Sequence, residues 1–285
     1  MTTPSSPPRR LAVAVASVAS AMLLLEIVVT RLFSVLFFYH FSFFAISLVM
    51  SGLVIGGIVA SRLNPLSGDI AAFENRLSVC AAAFSAATLL ALLFVSYLAR
   101  PDVANAPSLP TVALYALVFL PGLVAAGAFL ALAFARDRSW IGRLYAWDLI
   151  AAAGACMSAI VLLRMLQGPA VLLVPVGLAA VGALALANGA ALRAAAAVLA
   201  LGAVALGVAN ASADGALLRL RTRSTTATPM FERWNEHSRI LAYDWGDSGR
   251  ELVIDRSAST RMKPIPPRAD GRPPENDPSW GEGAQ

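Results

Sequence analysis

The sequence predicts an all-α membrane protein: a polytopic bundle of about seven transmembrane helices, followed by a short tail with a β-hairpin and a disordered end. Three observations lead there. Of 285 residues, 58% are hydrophobic and only 14% charged, against roughly 45–50% and 25% in soluble domains, and the mean hydropathy is +0.69. Seven separate stretches reach the ~20 mostly apolar residues that a helix needs to cross a bilayer. After Asn210 the composition turns from Ala, Leu and Val to polar, Pro- and Arg-rich text.

Residues 1–10 form a short N-terminal segment ending in Arg9 and Arg10. The apolar run that follows is longer than the ~7–15 residues of a signal-peptide core and has no clean cleavage site, so it reads as an uncleaved first span. The transmembrane domain extends over 11–210, with spans near 11–35, 41–61, 78–98, 112–135, 144–166, 169–187 and 191–210. Gly52 and Gly56, and again Gly154 and Ser158, lie four residues apart, the spacing that lets helix backbones approach closely in lipid. These faces are candidates for homo-oligomer contacts. Pro121 and Pro175 lie within spans and each removes a backbone donor, which predicts kinks.

Charge placement argues topology. Up to Asn210 there are eleven Arg against six acids, whereas the remainder is balanced, with ten Arg, Lys263 and eleven acids. The Arg residues lie singly or in small groups beside apolar runs, the pattern of topology-setting loops and not of a nucleic-acid-binding stripe. Counting alternate loops, Arg9, Arg10, Arg62, Arg76, Arg136, Arg138, Arg143 and Arg193 share one side, which places the N-terminus in the cytoplasm. Arg100, Arg164, Arg219, Arg221 and Arg223 fall on the other, a margin of eight to five that leaves the tail's side open.

The tail divides into a linker at 211–230, a hairpin at 231–262 and a disordered segment at 263–285. SRILAYD and RELVIDR are strand-like runs joined by DWGDSG, whose Gly and Asp suit a hairpin turn. The Pro/Gly/Arg text beyond has no apolar period.

Ionisable groups inside a span cost roughly 2.5–3.5 kcal/mol each on insertion scales and normally face a partner or a polar cavity. Glu26, Arg31, Asp148 and Arg164 qualify as a candidate intramembrane polar site. They suggest either a proton or solute path, as in a small transporter or channel, or interhelical ion pairs that fix packing. His40 sits among aromatics of an interfacial belt, and Cys80 and Cys156 have no metal-ligand spacing. There is no HExxH, GxSxG, P-loop or GxGxxG motif. The residues therefore assign no catalytic, cofactor-binding or metal role.

LLLEIVVTRLFSVLFF, SGLVIGG, LYAWDLIAAAGAC, FERWNEHSRI and ELVIDRSAST together resemble the membrane-anchored spermidine synthase-like proteins of bacteria, in which a multi-span region precedes an aminopropyltransferase-like domain. The resemblance covers most of the chain and is weakest in spans three, six and seven. It implies that the tail opens the family's small β-region, with Trp234, Asn235, Ser238 and Arg239 in its entry motif and Asp255 closing a strand. It implies aminopropyl transfer to a diamine as the whole family protein's reaction. Arg256 stands where the soluble synthases carry Gly, and the Gly-rich loop for decarboxylated S-adenosylmethionine and the catalytic acid would lie beyond Gln285. The expectation is a membrane domain that is not catalytic at this length, with a truncation or altered reading near residue 264. The bilayer is its partner; a scaffold role, anchoring another protein through the small-residue faces, is the third reading.

Overall fold

The computed structural model describes residues 7–37, 39, 41–62, 69–99, 107–166, 168–220, 229–235, 237–246, 249–255 and 258–262. Its helices are α1 (Arg9–Phe37), α2 (Phe41–Arg62), α3 (Ile70–Leu93), α4 (Leu109–Ala135), α5 (Ile141–Leu166), α6 (Leu173–Leu186) and α7 (Ala190–Ser212). A π-helical turn, Phe94–Leu98, extends α3, and a 3-10 turn, Gly168–Leu172, precedes α6. With these extensions all seven are long and apolar enough to cross a membrane. In hydrocarbon no water satisfies a peptide group, so a helix that closes its own hydrogen bonds is the conformation these runs adopt. The seven-helix class read from the sequence is the observed one.

Helices α1 and α6 are central, with 61% and 67% of their apolar stretches buried, whereas α5 and α7 are peripheral at 17% and 11%. Close packing of α2 on α4 follows from missing side chains. A Cβ on Gly56 would sit 2.5 Å from Ala128 N and Val124 O, and one on Gly127 would sit 2.8 Å from Leu53 Cα. The Gly52–Gly56 face is thus used within the bundle, not between copies. Gly154, by contrast, has open space beside it. Helices α3 and α6 are tied by two buried hydroxyls, Ser78 Oγ donating to Ala183 O (2.7 Å) and Ser85 Oγ to Val176 O (2.8 Å).

One boundary and one proline differ from the sequence reading, each for a local reason. Helix α3 begins at Ile70, eight residues before its expected start, because its polar first turns have partners: Asn188 donates through N to Asn75 Oδ1 and through Nδ2 to Glu74 Oε2. Pro175 does not kink a helix; it sits in the first turn of α6, where its missing N–H costs little. Pro121 does lie inside α4. In the α4–α5 connection, Ser139 donates through its hydroxyl (2.7 Å) and its N (2.8 Å) to Asp137 Oδ1, and these bonds, aided by nearby Arg136, hold that carboxyl below its ordinary range.

The aromatic belt is only partly interfacial. Tyr39 and Phe43 are exposed, but Phe33 and Phe37 are buried and pack on Tyr115 with ring centroids 6.4 and 5.0 Å away. His40 lies outside the described residues.

The tail is more than a linker and a hairpin. The expected hairpin is present as β2 (Arg239–Asp244) and β3 (Arg250–Ile254), but β1 (Phe231–Trp234) and β4 (Ala258–Met262) flank it, giving a four-stranded antiparallel meander in the order β1-β2-β3-β4. Within the expected linker, Asn210 Oδ1 accepts from Leu218 N (2.9 Å), and Leu218 and Leu220 are buried against the bundle. The rest of that linker, 221–228, and the 263–285 segment lie outside the described residues.

Candidate functional site

The sheet meets the bundle where α1, α5 and α7 end, and the residues gathered there are the tail motif and one intramembrane cation. Arg31, a turn and a half before the end of α1, donates from Nη2 to Asp255 Oδ1 at 2.8 Å, with side chains only 13% and 17% exposed. The same carboxylate oxygen accepts from Arg239 N at 2.7 Å. Asp255 N in turn donates to Arg239 O at 2.8 Å, continuing the β2–β3 pairing by one residue. Asp255 has φ 51°, a left-handed conformation that Asp and Asn tolerate better than most residues. That turn aims its carboxylate at the membrane helix.

A second pair completes the network. Arg239 Nε donates to Glu232 Oε1 (2.9 Å), which also accepts from Trp234 Nε1 (2.9 Å). Arg239 Nη2 reaches Leu220 O at 3.3 Å, and its guanidinium lies 5.4 Å from the Trp234 ring centroid. The register explains the cluster: Trp234 pairs with Arg239 across β1 and β2, and Glu232, two residues before Trp234, shares its face of the sheet. Trp234 is 2% exposed and lies over Gly168, where a Cβ would stand 2.9 Å from the indole and φ is +56°. Only glycine satisfies both conditions.

Arg31, Asp255, Arg239 and Glu232 thus form a chain of two cations and two anions whose charges cancel. Such pairs hold in a desolvated place when further hydrogen bonds satisfy their remaining atoms. Most are satisfied here; Arg31 Nε is the exception, buried without a hydrogen-bond partner among the described residues. Asn235 stabilises the β1–β2 turn, its Oδ1 accepting from His237 N (2.7 Å) and Ser238 N (2.6 Å). Trp234, Asn235, Ser238, Arg239 and Asp255 are therefore brought together as a structural joint. Beside it a cavity of ≈ 210 Å³ opens between bundle and sheet, lined by Asp214, Arg219, Met230, Glu232 and Trp234 among others.

The four intramembrane ionisable residues do not form one site. Ser20 Oγ donates to Ala151 O at 3.0 Å, and Leu24 packs with Ala155 and Ala159, so α1 and α5 run side by side in the same direction. Glu26 lies six residues above the Ser20 level and Asp148 three below the Ala151 level. At 1.5 Å per residue the two carboxyls are separated by about 13 Å along the axes. Arg31 turns to the tail, and Arg164 is exposed in the last turn of α5.

Glu232, Gly168, Asn210 and the Leu220 carbonyl escaped the sequence reading. The available signal was Glu-x-Trp, alternating in a short strand, and a lone Asn closing an apolar span. Among the described residues no cluster of His, Cys, Asp and Glu has the arrangement to hold a metal. The described sheet is wholly antiparallel, and a nucleoside cradle of the dinucleotide type needs a parallel strand, a Gly-rich turn and a following helix. The chain matches no family model, no curated protein and no solved structure.

Proposed function

We propose that this chain is the membrane domain of a spermidine synthase-like protein and acts as a platform: a seven-span bundle that fixes a small β-meander against one membrane face. The observation that carries the reading is the Arg31–Asp255 pair, which joins an intramembrane cation to the strand-closing residue of the family-like motif. The neutral network behind it supports a clamp, because its charged groups are engaged with one another. The separation of Glu26 from Asp148 supports this reading over a transport path through those residues.

On the positive-inside rule our reading takes the arginine-rich end, with Arg9, Arg10, Arg143 and Arg193, as the cytoplasmic side of a bacterial inner membrane. Seven crossings then set the sheet on the opposite face. A donor made in the cytoplasm does not reach it there, which favours anchoring over nucleoside chemistry for this segment.

The test is equilibrium binding of labelled decarboxylated S-adenosylmethionine to the purified chain in detergent. The expected result is no saturable binding up to about 1 mM, the top of the usual range of substrate KM values. A saturable isotherm in the micromolar range would overturn the platform reading.

A further inference from the structure

At the end of the bundle opposite the sheet, the start of α1 is flanked by two open clefts. One, of ≈ 560 Å³, lies between α1 and the α6–α7 connection and is lined by Arg9, Arg10 and Arg193 over Val13, Leu184 and Ala185. The other, of ≈ 550 Å³, lies between α1 and α5 and shares Arg9 and Val13, adding Arg143 and Trp147. Arg193 is held by its Nε, which donates to Ala187 O at 3.0 Å. No carboxylate lines either cleft. Glu74, which meets the α6–α7 connection, is engaged through Oε2 by Asn188.

We propose that the first cleft binds the phosphate group of an anionic phospholipid. Three arginines from two elements line a space with an apolar floor, and guanidinium is the side-chain group best shaped to take phosphate oxygens in pairs. The floor selects a lipid over free phosphate, because Val13, Leu184 and Ala185 offer nothing to a hydrated ion but line the path an acyl chain takes from its headgroup. Trp147 in the neighbouring cleft is half exposed, as an indole at headgroup level is. Basic pockets between spanning helices, on the side with the excess of arginine, are where anionic headgroups bind. The inference does not rest on the platform reading and concerns the other end of the molecule.

The experiment is native mass spectrometry of the full chain released from detergent, titrated with phosphatidylglycerol or with phosphatidylcholine of the same acyl chains. Phosphatidylglycerol adducts are expected to survive at activation energies that strip phosphatidylcholine. Arg10→Gln combined with Arg193→Gln is expected to reduce their retention at least fivefold. Arg62→Gln, at the same end on α2 but outside both clefts, is expected to change nothing. Should the double variant not remain monodisperse, Arg10→Gln alone, at an exposed position, is expected to show at least a twofold loss. Equal retention of the two lipids, an unchanged double variant, or equal loss in Arg62→Gln would overturn the proposal. Displacement of the adducts by 10 mM inorganic phosphate but not by chloride of equal ionic strength would also overturn it, assigning the cleft to free phosphate.

Discussion

Arg31 is the residue on which the joint turns, and its energetics set the size of the effect to be measured. Removing one partner of a largely desolvated pair leaves the other charge uncompensated, so Arg31→Gln or Asp255→Asn should each weaken sheet docking by about 2–3 kcal/mol. Asn keeps the left-handed backbone at 255, so that variant isolates the charge from the turn. A loss of that size raises the undocked fraction roughly 30- to 150-fold. It is read as the rate of tryptic cleavage at Arg250 and Arg261 in detergent. The double variant Arg31→Gln/Asp255→Asn should recover part of the loss, because it leaves no lone charge behind. Cleavage no faster than in the parent chain would show that the pair contributes nothing to docking.

Among the elements, α2 and α4 make the most demanding contact. Gly56→Leu puts a side chain where Val124 O, Gly127 and the Ala128 backbone already lie. The two helices must then separate, and the expected outcome is loss of a monodisperse peak in size-exclusion chromatography. Gly154→Leu, facing open space on α5, should elute unchanged. The spans themselves were legible because hydropathy accumulates over twenty residues and lipid leaves the backbone no alternative. Strands β1 and β4 were not legible: FERW is four residues long and ASTRM is exposed along its whole length, so neither carries an apolar alternation. The candidate site was half legible. Arg31 announced itself by the cost of a charge in a span, and Asp255 by resemblance. Their contact was not, because 224 residues separate them and a sequence carries no record of such long-range partners. Glu26 and Asp148, flagged by the same cost argument, lie about 13 Å apart along their helices, an offset that spacing within one helix does not reveal.

For the whole molecule, an odd number of crossings separates the arginine-rich end from the sheet. A phosphatase reporter fused after Ala213 is expected to be active and a fluorescent reporter at the same point dark, as for a periplasmic position. The reverse pattern would put the tail in the cytoplasm and overturn the proposed orientation. The distribution of burial agrees with a body whose central helices are α1 and α6: the outward faces of α5 and α7 present Ile150, Met157, Val198 and Leu201, which bulk water would not tolerate as a continuous surface.

The distance in sequence between Arg31 and Asp255 also imposes an order of events during synthesis. At ~5–20 residues per second, the ribosome needs roughly 10–45 s to deliver the carboxylate after the guanidinium has been made. Throughout that interval the first helix carries a cation without its native counter-ion, and its long side chain must reach toward headgroups and water. The latch therefore closes only after the seven described helices have been made.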